Sequence, residues 1–522
     1  MTRLNHPLVT TLKGHPKDKV AIRHVPSGNS YTYGQLTEDI DQWRTILDKE
    51  TGSNSEGQRI AIMGENSYQF VVPWLASMTL PNTIAMPLCT NHTTAEIEYQ
   101  LENSRASLIV GQERFWDKIK QFESDKVKLL SFDQTDKQQV QPDDNYANSS
   151  GYMLYTSGTS GRPKGVVTPL DTFVAQAKAL SQAWNINSST NFLQTLPLHH
   201  VHGLLIATTL PLLAGGRVEF LFPFSPKAWV DRLLDESLPP INTYTAVPTI
   251  YSRIISYVES LDASTQERVA KAIGEHLKLA MCGSAALPQP LREGWDRITK
   301  GSLSLLERYG MTETGITLSQ PLEPSQRING SVGRPVPSVS CRLVDPEDGT
   351  VLYNSDQPGV PDHSLPAGEI ELSGPVVFKE YWERPDATAE TFTGDKQWFK
   401  TGDIAKVDEH GFLYIQGRAS MDIIKSGGEK ISALEIEREI LGLPEIDECS
   451  VIGIPSEEWG EEVTAVVKLA KGVDIYEIQD LKKGLKGVLA GWKIPKRLIV
   501  VDAIPRNQMG KVNKKNLVKQ YQ

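Results

Sequence analysis

The sequence predicts an α/β protein that joins a large N-terminal domain, with open, mostly parallel sheets and a small β subdomain, to a small α+β C-terminal domain. Strand-like and helix-like patterns alternate twice before residue 311, which is typical of parallel sheets covered by helices. From Gly368 the pattern changes to hairpin strands. The chain has 522 residues, 39% of them hydrophobic and 23% charged, and this composition supports large cores and excludes wholesale disorder.

The first alternation is a βαβ pattern over residues 59–110. Short apolar runs bounded by turn residues predict strands, and the stretches between them predict helices. The predicted strands are RIAIMG (59–64), TIAMPL (83–88) and ASLIV (106–110), and the predicted helices cover 68–80 and 94–101.

The second alternation follows the same pattern further along the chain. Its predicted strands are GRVEFLF (216–222), INTYTAV (241–247), LKLAMCG (277–283) and SLLERYG (304–310), and its predicted helices cover 249–260 and 291–298. Several of these strands end in a turn that contains Gly or Ser. Ligand-binding loops usually lie at such turns in α/β sheets.

The last third of the chain predicts hairpins and then a separate small unit. Strands are predicted at 368–374 and on both sides of the turn at 408–411. We place a domain boundary at Arg418, which divides the chain into residues 1–417 and 418–522. The predicted elements of the small domain are a helix at 433–441, strands at 449–455 and 463–470, and a basic helix at 478–489.

Charge excludes one large class of partners. The chain carries 54 Lys and Arg against 64 Asp and Glu, a formal net charge of -10, so it is not a generally basic nucleic-acid binder. Residues 482–522 differ from this average, with eleven basic residues against one acid. On composition alone, a functional basic region and an ordinary solvated basic surface are equally consistent with this stretch.

Cysteine spacing and hydropathy indicate the cellular compartment in which we expect the protein. The four cysteines are too far apart for a paired metal spacing and suit a reduced intracellular protein. The longest apolar run, 201–213, is shorter than the roughly 20 residues that span a bilayer. We expect a cytoplasmic protein, with the mitochondrion as the alternative because no acidic residue precedes Asp18. We also expect a monomer or weak homodimer, with small-molecule substrates as its partners and no nucleic acid or membrane span.

A loop at residues 155–165, YTSGTSGRPKG, predicts a phosphate-binding site. Its glycines let backbone N–H groups approach phosphoryl oxygens, its hydroxyls donate hydrogen bonds, and Lys164 adds a positive charge. The spacing is not that of a Walker A loop.

With this loop, the chain resembles the adenylate-forming superfamily of acyl-CoA synthetases, luciferases and peptide-synthetase adenylation domains. Further motifs follow in the order found in that superfamily. They are LPLHHVHG (196–203), GSAAL (283–287), ERYGMTETG (307–315), FKTGD (399–403), GRASMDIIKSGGEKIS (417–432) and PRNQMGKV (505–512).

The resemblance implies an acid–thiol ligase that uses ATP, Mg²⁺ and coenzyme A. A carboxylate is a poor electrophile at neutral pH, so it is first joined to AMP with release of pyrophosphate, and a thiol then attacks the acyl adenylate. The implied catalytic residues are Lys511, Glu313, Thr312 and His200, with Glu313 as the Mg²⁺ ligand.

The resemblance also implies an ATP site made from five of the motifs. Tyr309 would face the adenine, Thr312 a phosphate, and Asp403 the ribose hydroxyls, with Arg418 as a second ribose or phosphate contact. The complete implied set is Thr156, Ser157, Gly158, Thr159, Ser160, Lys164, Gly283, Ser284, Ala285, Glu307, Arg308, Tyr309, Gly310, Met311, Thr312, Asp403 and Arg418.

Lys511 belongs to the small domain by this reasoning, whereas the ATP loops belong to the large one. Adenylation therefore requires the domains to close. The resemblance further implies a small domain that is mobile and then rotates, so that Gly427 and Gly428 line the channel for the CoA thiol. One extra residue after the Gly-Arg pair leaves the pivot anywhere from Ala419 to Asp422.

The acid itself is predicted from the residues around the pocket. Members of the superfamily that bind acetate carry a tryptophan that shortens the acid pocket. This chain has Gly310 at that position, so its pocket is not shortened in this way. Arg327 could bind a second carboxylate, and the motifs together resemble the malonyl-CoA synthetase branch of the superfamily. His200 or His202 would line the acyl entrance, and zinc is disfavoured there because no fourth ligand is identifiable.

Malonate is therefore the expected substrate. The alternatives are methylmalonate, oxalate or a medium-chain fatty acid, and, in a different class, a module that loads a carrier protein or a nucleotide-binding regulator. The resemblance spans the chain from about residue 20, but no carrier domain follows the PRNQMGKV motif.

Overall fold

A computed structural model describes residues 7–52, 57–133, 150–156, 162–357, 366–395, 397–506 and 512–522. Helices and strands alternate through most of this length. The strands are β1 (Val20–His24), β2 (Ser30–Thr32), β3 (Gln58–Met63), β4 (Thr83–Pro87), β5 (Leu108–Gly111), β6 (Lys128–Ser131), β7 (Gly151–Tyr155), β8 (Gly165–Pro169), β9 (Asn191–Gln194), β10 (Arg217–Phe220), β11 (Thr243–Ala246), β12 (Leu279–Cys282), β13 (Leu306–Met311), β14 (Gly315–Ser319), β15 (Arg334–Pro335), β16 (Ser340–Val344), β17 (Val351–Asn354), β18 (Gly368–Ser373), β19 (Glu380–Tyr381), β20 (Phe399–Val407), β21 (Leu413–Arg418), β22 (Ile423–Ser426), β23 (Glu429–Ser432), β24 (Ile446–Ser456), β25 (Gly460–Leu469) and β26 (Arg497–Val500).

The helices cover the sheets, and short helical turns fill several connections. The α-helices are α1 (Pro7–Lys13), α2 (Tyr33–Thr51), α3 (Tyr68–Met78), α4 (Thr94–Ser104), α5 (Trp116–Ile119), α6 (Leu170–Trp184), α7 (Leu210–Leu213), α8 (Pro226–Leu233), α9 (Pro248–Glu259), α10 (Ala263–His276), α11 (Gln289–Thr299), α12 (Pro385–Thr391), α13 (Ala433–Ile440), α14 (Ile478–Leu485) and α15 (Lys514–Tyr521). A π-helix, His202–Thr209, precedes α7. In the part of the chain that the structure describes, no helix is long and apolar enough to cross a membrane.

Local sequence explains where individual helices begin. Thr93 ends an extended segment, its Oγ1 accepts a hydrogen bond from Glu96 N, and Glu96 Oε2 accepts one from Thr93 N at 2.8 Å. Thr32 and Gln35 form the same reciprocal pair at the start of α2. Each pair satisfies backbone N–H groups that a helix would otherwise leave without partners.

Two sheets form the body of the large domain. A seven-stranded sheet has the order β19-β8-β7-β4-β3-β5-β6, and a nine-stranded sheet has the order β15-β14-β13-β12-β11-β9-β10-β1-β2. Side chains of both sheets and of α2, α3 and α6 share one buried core, which includes Ile60, Trp74, Phe173, Phe192 and Val218. The predicted alternation of strands and helices is confirmed in both sheets.

Antiparallel strands form the small β subdomain, and the C-terminal sheet is antiparallel except for β26, which pairs parallel with β25. The subdomain has the order β17-β16-β18-β20-β21, and the C-terminal sheet joins β23, β22, β25, β24 and β26. Ile424, Ile431, Ile436, Val451 and Val463 belong to a core cluster of the C-terminal sheet and its helices. The fold is therefore α/β in its large part with a smaller α+β unit at the C-terminus, as predicted.

One element was predicted too long. The helix expected over 478–489 ends at Leu485, and Lys486 is already extended, with φ -64° and ψ 124°. Gly487 then adopts φ +85°, a left-handed conformation that glycine tolerates and that cannot continue a right-handed helix.

Candidate active site

Loops that carry the predicted motifs meet at one edge of the nine-stranded sheet. Strands β9, β11, β12 and β13 are parallel, so their carboxyl ends lie on the same side. The HHVH segment follows β9, the GSAAL segment follows β12, and the turn with Thr312 and Glu313 follows β13. This edge is where α/β sheets usually bind ligands.

Side chains from three sheets and from the turns beside them form a first group, which we call the nucleotide cluster: Lys164, Tyr309, Glu313, Asp403 and Arg418. Tyr309 Oη donates a hydrogen bond to Asp403 Oδ2 at 2.5 Å, and Arg418 Nε lies 2.9 Å from Asp403 Oδ1. Asp403 and Arg418 are direct neighbours across β20 and β21. Burial raises the pKa of Tyr309 and the Asp403 carboxylate adds to this shift, so the hydroxyl stays protonated and donates.

Glu313 is held by two contacts in the turn between β13 and β14. Its carbonyl oxygen accepts a hydrogen bond from Phe378 N at 2.8 Å, and its Oε1 accepts one from Tyr381 Oη at 2.7 Å. Lys164 Nζ lies 3.8 Å from the centre of the Tyr381 ring. Burial lowers the pKa of Lys164, and the charge of Glu313 opposes that shift. One tyrosine thus contacts a carboxylate through its hydroxyl and an ammonium through its ring face.

The phosphate loop is described only at its two ends. Thr156 N donates a hydrogen bond to Lys164 O at 2.9 Å, which closes the loop between β7 and β8. Ser157, Gly158, Thr159, Ser160 and also Lys511 lie outside the described residues.

A second group, the acid-pocket cluster, consists of His202, Thr245, Ser284 and Arg308. His202 Nε2 lies 2.7 Å from Thr245 Oγ1 and 2.5 Å from Arg308 Nη2, and its Nδ1 lies 3.5 Å from Ser284 Oγ. Burial lowers the pKa of His202 well below its usual value, and the charge of Arg308 adds to this effect. Because Arg308 can only donate, Nε2 accepts and we assign the proton of the neutral ring to Nδ1.

Arg308 is a buried cation that forms no ion pair with a carboxylate of the described residues. Its Nε is buried without a hydrogen-bond partner in the same part of the chain, and burial lowers its pKa to about 10. Gly283 makes room for it, because a Cβ at that position would lie 2.6 Å from Arg308 Nη1. An uncompensated buried charge is costly, so this arrangement favours an anionic ligand.

The structure does not bring Glu307 or Arg327 into either cluster. The Glu307 carboxylate pairs with Arg292 and accepts a hydrogen bond from Gly330 N. Arg327 donates to the carbonyl oxygens of Ser304 at 2.7 Å, Pro321 at 3.0 Å and Leu322 at 2.7 Å. All three guanidinium nitrogens of Arg327 thus hold neighbouring loops together.

The remaining predicted residues of the large domain lie along the same edge. The His200 ring centre is 4.1 Å from that of His199, and Ser284 and Ala285 are exposed on their loop, where Ser284 adopts φ +67°. A Cβ at Gly310 would lie 2.0 Å from Gly315 O, so close approach of the backbone requires this glycine, whatever the acid. Met311 packs beside Phe378 and Phe399, and Thr312 lines a small cavity with Glu313.

Gly427 and Gly428 form the turn between β22 and β23 and adopt φ +60° and +86°. Both are exposed, and Gly427 N donates a hydrogen bond to Trp459 O at 2.8 Å. Lys430 in the same hairpin lies 2.6 Å from Glu347 of the β subdomain. In this arrangement the turn faces solvent.

Sequence reasoning missed Tyr381 and Thr245. Tyr381 lies in a strand of only two residues, which leaves no periodic pattern to read. Thr245 lies inside a buried strand, where threonine is an ordinary β-former. The alternation of side chains along β11 indicates that Thr245 and Tyr244 point to opposite faces of the sheet. It does not indicate which of the two faces carries the candidate site.

Comparison with known protein families identifies the family of this chain. The chain matches the AMP-binding enzyme family over residues 8–382 and the AMP-binding enzyme C-terminal domain over residues 435–511. It belongs to the AMP-binding enzyme family.

Relatives and solved structures match almost the whole chain. A CoA ligase of Gibberella moniliformis (strain M3125 / FGSC 7600) is 40% identical, over 97% of this chain and 93% of the relative. The mitochondrial malonate–CoA ligase ACSF3 of Xenopus laevis is 38% identical, over 89% of this chain and 83% of the relative. The crystal structure of ATP-bound MatB from Rhodopseudomonas palustris has a TM-score of 0.85 and 32% identity, and the match covers 99% of both chains.

Proposed function

We propose that this protein is an AMP-forming malonate–CoA ligase, which converts malonate, ATP and CoA to malonyl-CoA, AMP and pyrophosphate through malonyl-adenylate. The relatives named above support the reaction. The observation that carries the choice of acid is Arg308, a buried cation without a carboxylate partner in the described residues, placed beside a neutral histidine.

Malonate suits the acid-pocket cluster because it has two carboxylates with separate tasks. One must react with ATP, and the other would bind the guanidinium of Arg308 and satisfy its charge. A monocarboxylic acid would leave Arg308 buried and unpaired, at a cost of several kcal/mol. Neutral His202 holds Arg308 Nη2 and so fixes the direction of the guanidinium. Arg308 and Tyr309 are consecutive in β13, so one strand supplies a side chain to each cluster.

The reaction has two steps at the nucleotide cluster. An oxygen of the reacting carboxylate attacks the α-phosphorus, the P–O bond to pyrophosphate breaks, and acyl-AMP forms. The CoA thiol then attacks the acyl carbon, its proton is released, and AMP leaves. Lys164, Arg418 and Lys511 would stabilise negative charge on the phosphates during the first step, and Tyr309 with Asp403 would hold the nucleoside.

Mg²⁺ fits this donor set. The described residues contain no group of three or more candidate metal ligands, but Glu313 offers one carboxylate beside the phosphate loop. Mg²⁺ is commonly bound by one or two carboxylates together with substrate phosphates. When bound, it neutralises charge on the phosphates of ATP.

We also propose that residues 1–417 and 418–522 act as two domains whose relative orientation changes between the steps. Separate sheets and the separate C-terminal core support this division. The exposed turn at Gly427 and Gly428 is compatible with a later movement that brings it to the acyl-AMP. The oligomeric state stays a prediction: we expect a monomer or weak homodimer, which light scattering can test. The compartment also stays a prediction: we expect the cytoplasm, with the mitochondrion as the alternative, and cell fractionation can test it.

Pyrophosphate release across a panel of acids tests the proposed function. We expect malonate to support ATP-dependent release, and CoA-dependent formation of malonyl-CoA to follow. Methylmalonate, oxalate, propionate and octanoate should be poorer substrates. Absence of malonate-dependent release, with robust release for a fatty acid, would contradict the proposal.

Two arginine variants test the source of specificity. Arg308→Ala should lower kcat/KM for malonate by about a hundredfold, because the distal carboxylate loses a buried charged partner, and should change propionate use much less. Arg327→Ala should lower Tm, since it releases three carbonyl contacts, but keep the malonate-to-propionate ratio. A ratio that falls in Arg327→Ala and not in Arg308→Ala would return the role to Arg327.

A further inference from the structure

Tyr381 contacts two members of the nucleotide cluster, Lys164 and Glu313, although no predicted motif contains it. Strand β19 pairs with β8 in antiparallel fashion, so that Tyr381 lies opposite Val166. Trp382 N, the next residue along, donates a hydrogen bond to Gly165 O at 2.7 Å. This pairing holds the buried tyrosine next to the end of the phosphate loop.

The side chain of Tyr381 makes two different contacts, one through its hydroxyl and one through the face of its ring. Its hydroxyl donates to Glu313 Oε1 at 2.7 Å. The face of its ring receives Lys164 Nζ at 3.8 Å from the centroid. Phe378 packs against the same ring with centroids 4.8 Å apart, which limits its movement.

Lys164 and Glu313 carry opposite charges and are close enough to influence each other. Among the described residues, neither forms an ion pair with the other or with a further charged group. A direct ion pair between them would occupy both groups and would have to break before the phosphates and a cation could bind. Tyr381 prevents this, because a neutral hydroxyl satisfies the carboxylate and a neutral ring satisfies the ammonium.

We infer that Tyr381 is a positioning residue that keeps Glu313 and Lys164 apart and correctly oriented for Mg²⁺ and the phosphates of ATP. The inference rests on the proposed function only in requiring ATP and Mg²⁺. It does not depend on which acid is used. Residues that hold a metal ligand by a hydrogen bond commonly change metal affinity by about 10- to 100-fold when replaced.

Binding of α,β-methylene-ATP, an analogue whose α–β bridge cannot be cleaved to transfer AMP, tests this role without turnover. Calorimetry with and without Mg²⁺ gives the factor by which Mg²⁺ tightens binding to the full chain. Tyr381→Phe keeps the ring and should reduce this factor about tenfold. Tyr381→Leu also removes the ring and should, in addition, weaken binding in the absence of Mg²⁺ by a few-fold, because Lys164 loses its neutral partner.

Tyr68→Phe is a matched control. Tyr68 Oη donates to Asp39 Oδ2 at 2.6 Å, the same kind of bond, which joins α3 to α2 and involves no member of either cluster. It should change Tm at most and leave the Mg²⁺ factor unchanged. A double variant distinguishes a positioning role of Tyr381 from a packing role. If Tyr381 acts through Glu313, then Tyr381→Phe should have little effect on the Mg²⁺ factor in a Glu313→Gln background.

The inference is overturned if Tyr381→Phe keeps the wild-type Mg²⁺ factor, or if it lowers binding equally in the wild-type and Glu313→Gln backgrounds. Either result would make Tyr381 a packing residue. Failure of the proposed function has a different signature, since it would appear as absent malonate-dependent pyrophosphate release in the wild type while the calorimetric result stands.

Discussion

At the scale of single residues, His202 links folding to pH as well as to substrate. It is buried and neutral in the folded state, with its pKa lowered by burial and by Arg308. In the unfolded chain its pKa returns to about 6.5, so below that pH the unfolded state binds a proton that the folded state does not. Stability should therefore fall as the pH drops below about 6.5, by up to about 1.4 kcal/mol per pH unit from this group.

We predict that Tm falls less between pH 7.5 and 5.5 in His202→Gln than in the wild type. Differential scanning fluorimetry at the two pH values measures this. His410→Gln, which replaces an exposed histidine between β20 and β21, should keep the wild-type fall. Equal falls in wild type and His202→Gln would show that His202 is not the residue responsible.

The motifs alone could indicate which residues approach the site, but not all of their partners. ERYGMTETG implied that Arg308 contacts ATP, yet its side chain points to His202 and Tyr309 points to Asp403. Consecutive residues of a strand face opposite sides, so one motif serves both clusters. Arg327 had the right chemistry and a plausible position, but nearby carbonyls that no pattern reveals occupy its donors.

At the scale of elements, α15 shows how a short helix depends on one buried side chain. It has eight residues, too few to be stable alone. Lys514 Nζ, at its start, lies 2.6 Å from Asp422 Oδ1 and 2.7 Å from Glu437 Oε1. These contacts anchor the helix to the loop after β21, through Asp422, and to α13, through Glu437.

We predict that Lys514→Met releases α15, because two buried carboxylates then face each other without a cation, and breaking such a pair costs about 3–5 kcal/mol. Hydrogen exchange of residues 514–521 should become much faster. Acyl-AMP formation should also fall, since Lys511 precedes the helix by three residues. Lys515→Met, at the exposed neighbouring position, should keep wild-type exchange and activity. Unchanged exchange in Lys514→Met would contradict the anchoring role.

Elements with a clear period were predicted well, and elements without one were not. The β3–α3–β4–α4–β5 series followed from apolar runs and turn residues alone. In contrast, β19 has two residues and owes its place to pairing with β8, a contact far away in sequence. The end of α14 coincides with the left-handed backbone of Gly487, φ +85°, which the apolar period does not reveal.

At the scale of the whole molecule, three sheets each supply part of one site. The seven-stranded sheet supplies Tyr381 and, directly before β8, Lys164. The nine-stranded sheet supplies Tyr309 and, in the turn after β13, Glu313. The β subdomain supplies Asp403 and Arg418. Sequence motifs indicated most of these members separately. Their meeting depends on packing between sheets, so the sequence could not show that Tyr381 joins the cluster.

In the proposed mechanism the C-terminal unit serves both steps, and a pair of variants should separate them. We predict that Lys511→Ala abolishes malonyl-AMP formation but spares CoA transfer to supplied malonyl-AMP, because Lys511 is needed only for charge at the α-phosphate. Gly428→Leu should do the reverse, since a side chain would obstruct a narrow thiol channel. Pyrophosphate release and malonyl-CoA formation, measured separately, report the two steps.

Gly472→Leu is the control that gives Gly428→Leu its meaning. Gly472 lies on another turn of the same unit, with φ +91° against +86° for Gly428, and a Cβ at either position would meet nothing within 4 Å. Both substitutions therefore carry similar backbone strain, but only the one at Gly428 lies on the proposed channel. If both variants lose thioester formation equally, strain rather than obstruction is the cause. If Lys511→Ala loses both steps together, the two faces of the C-terminal unit do not act in turn.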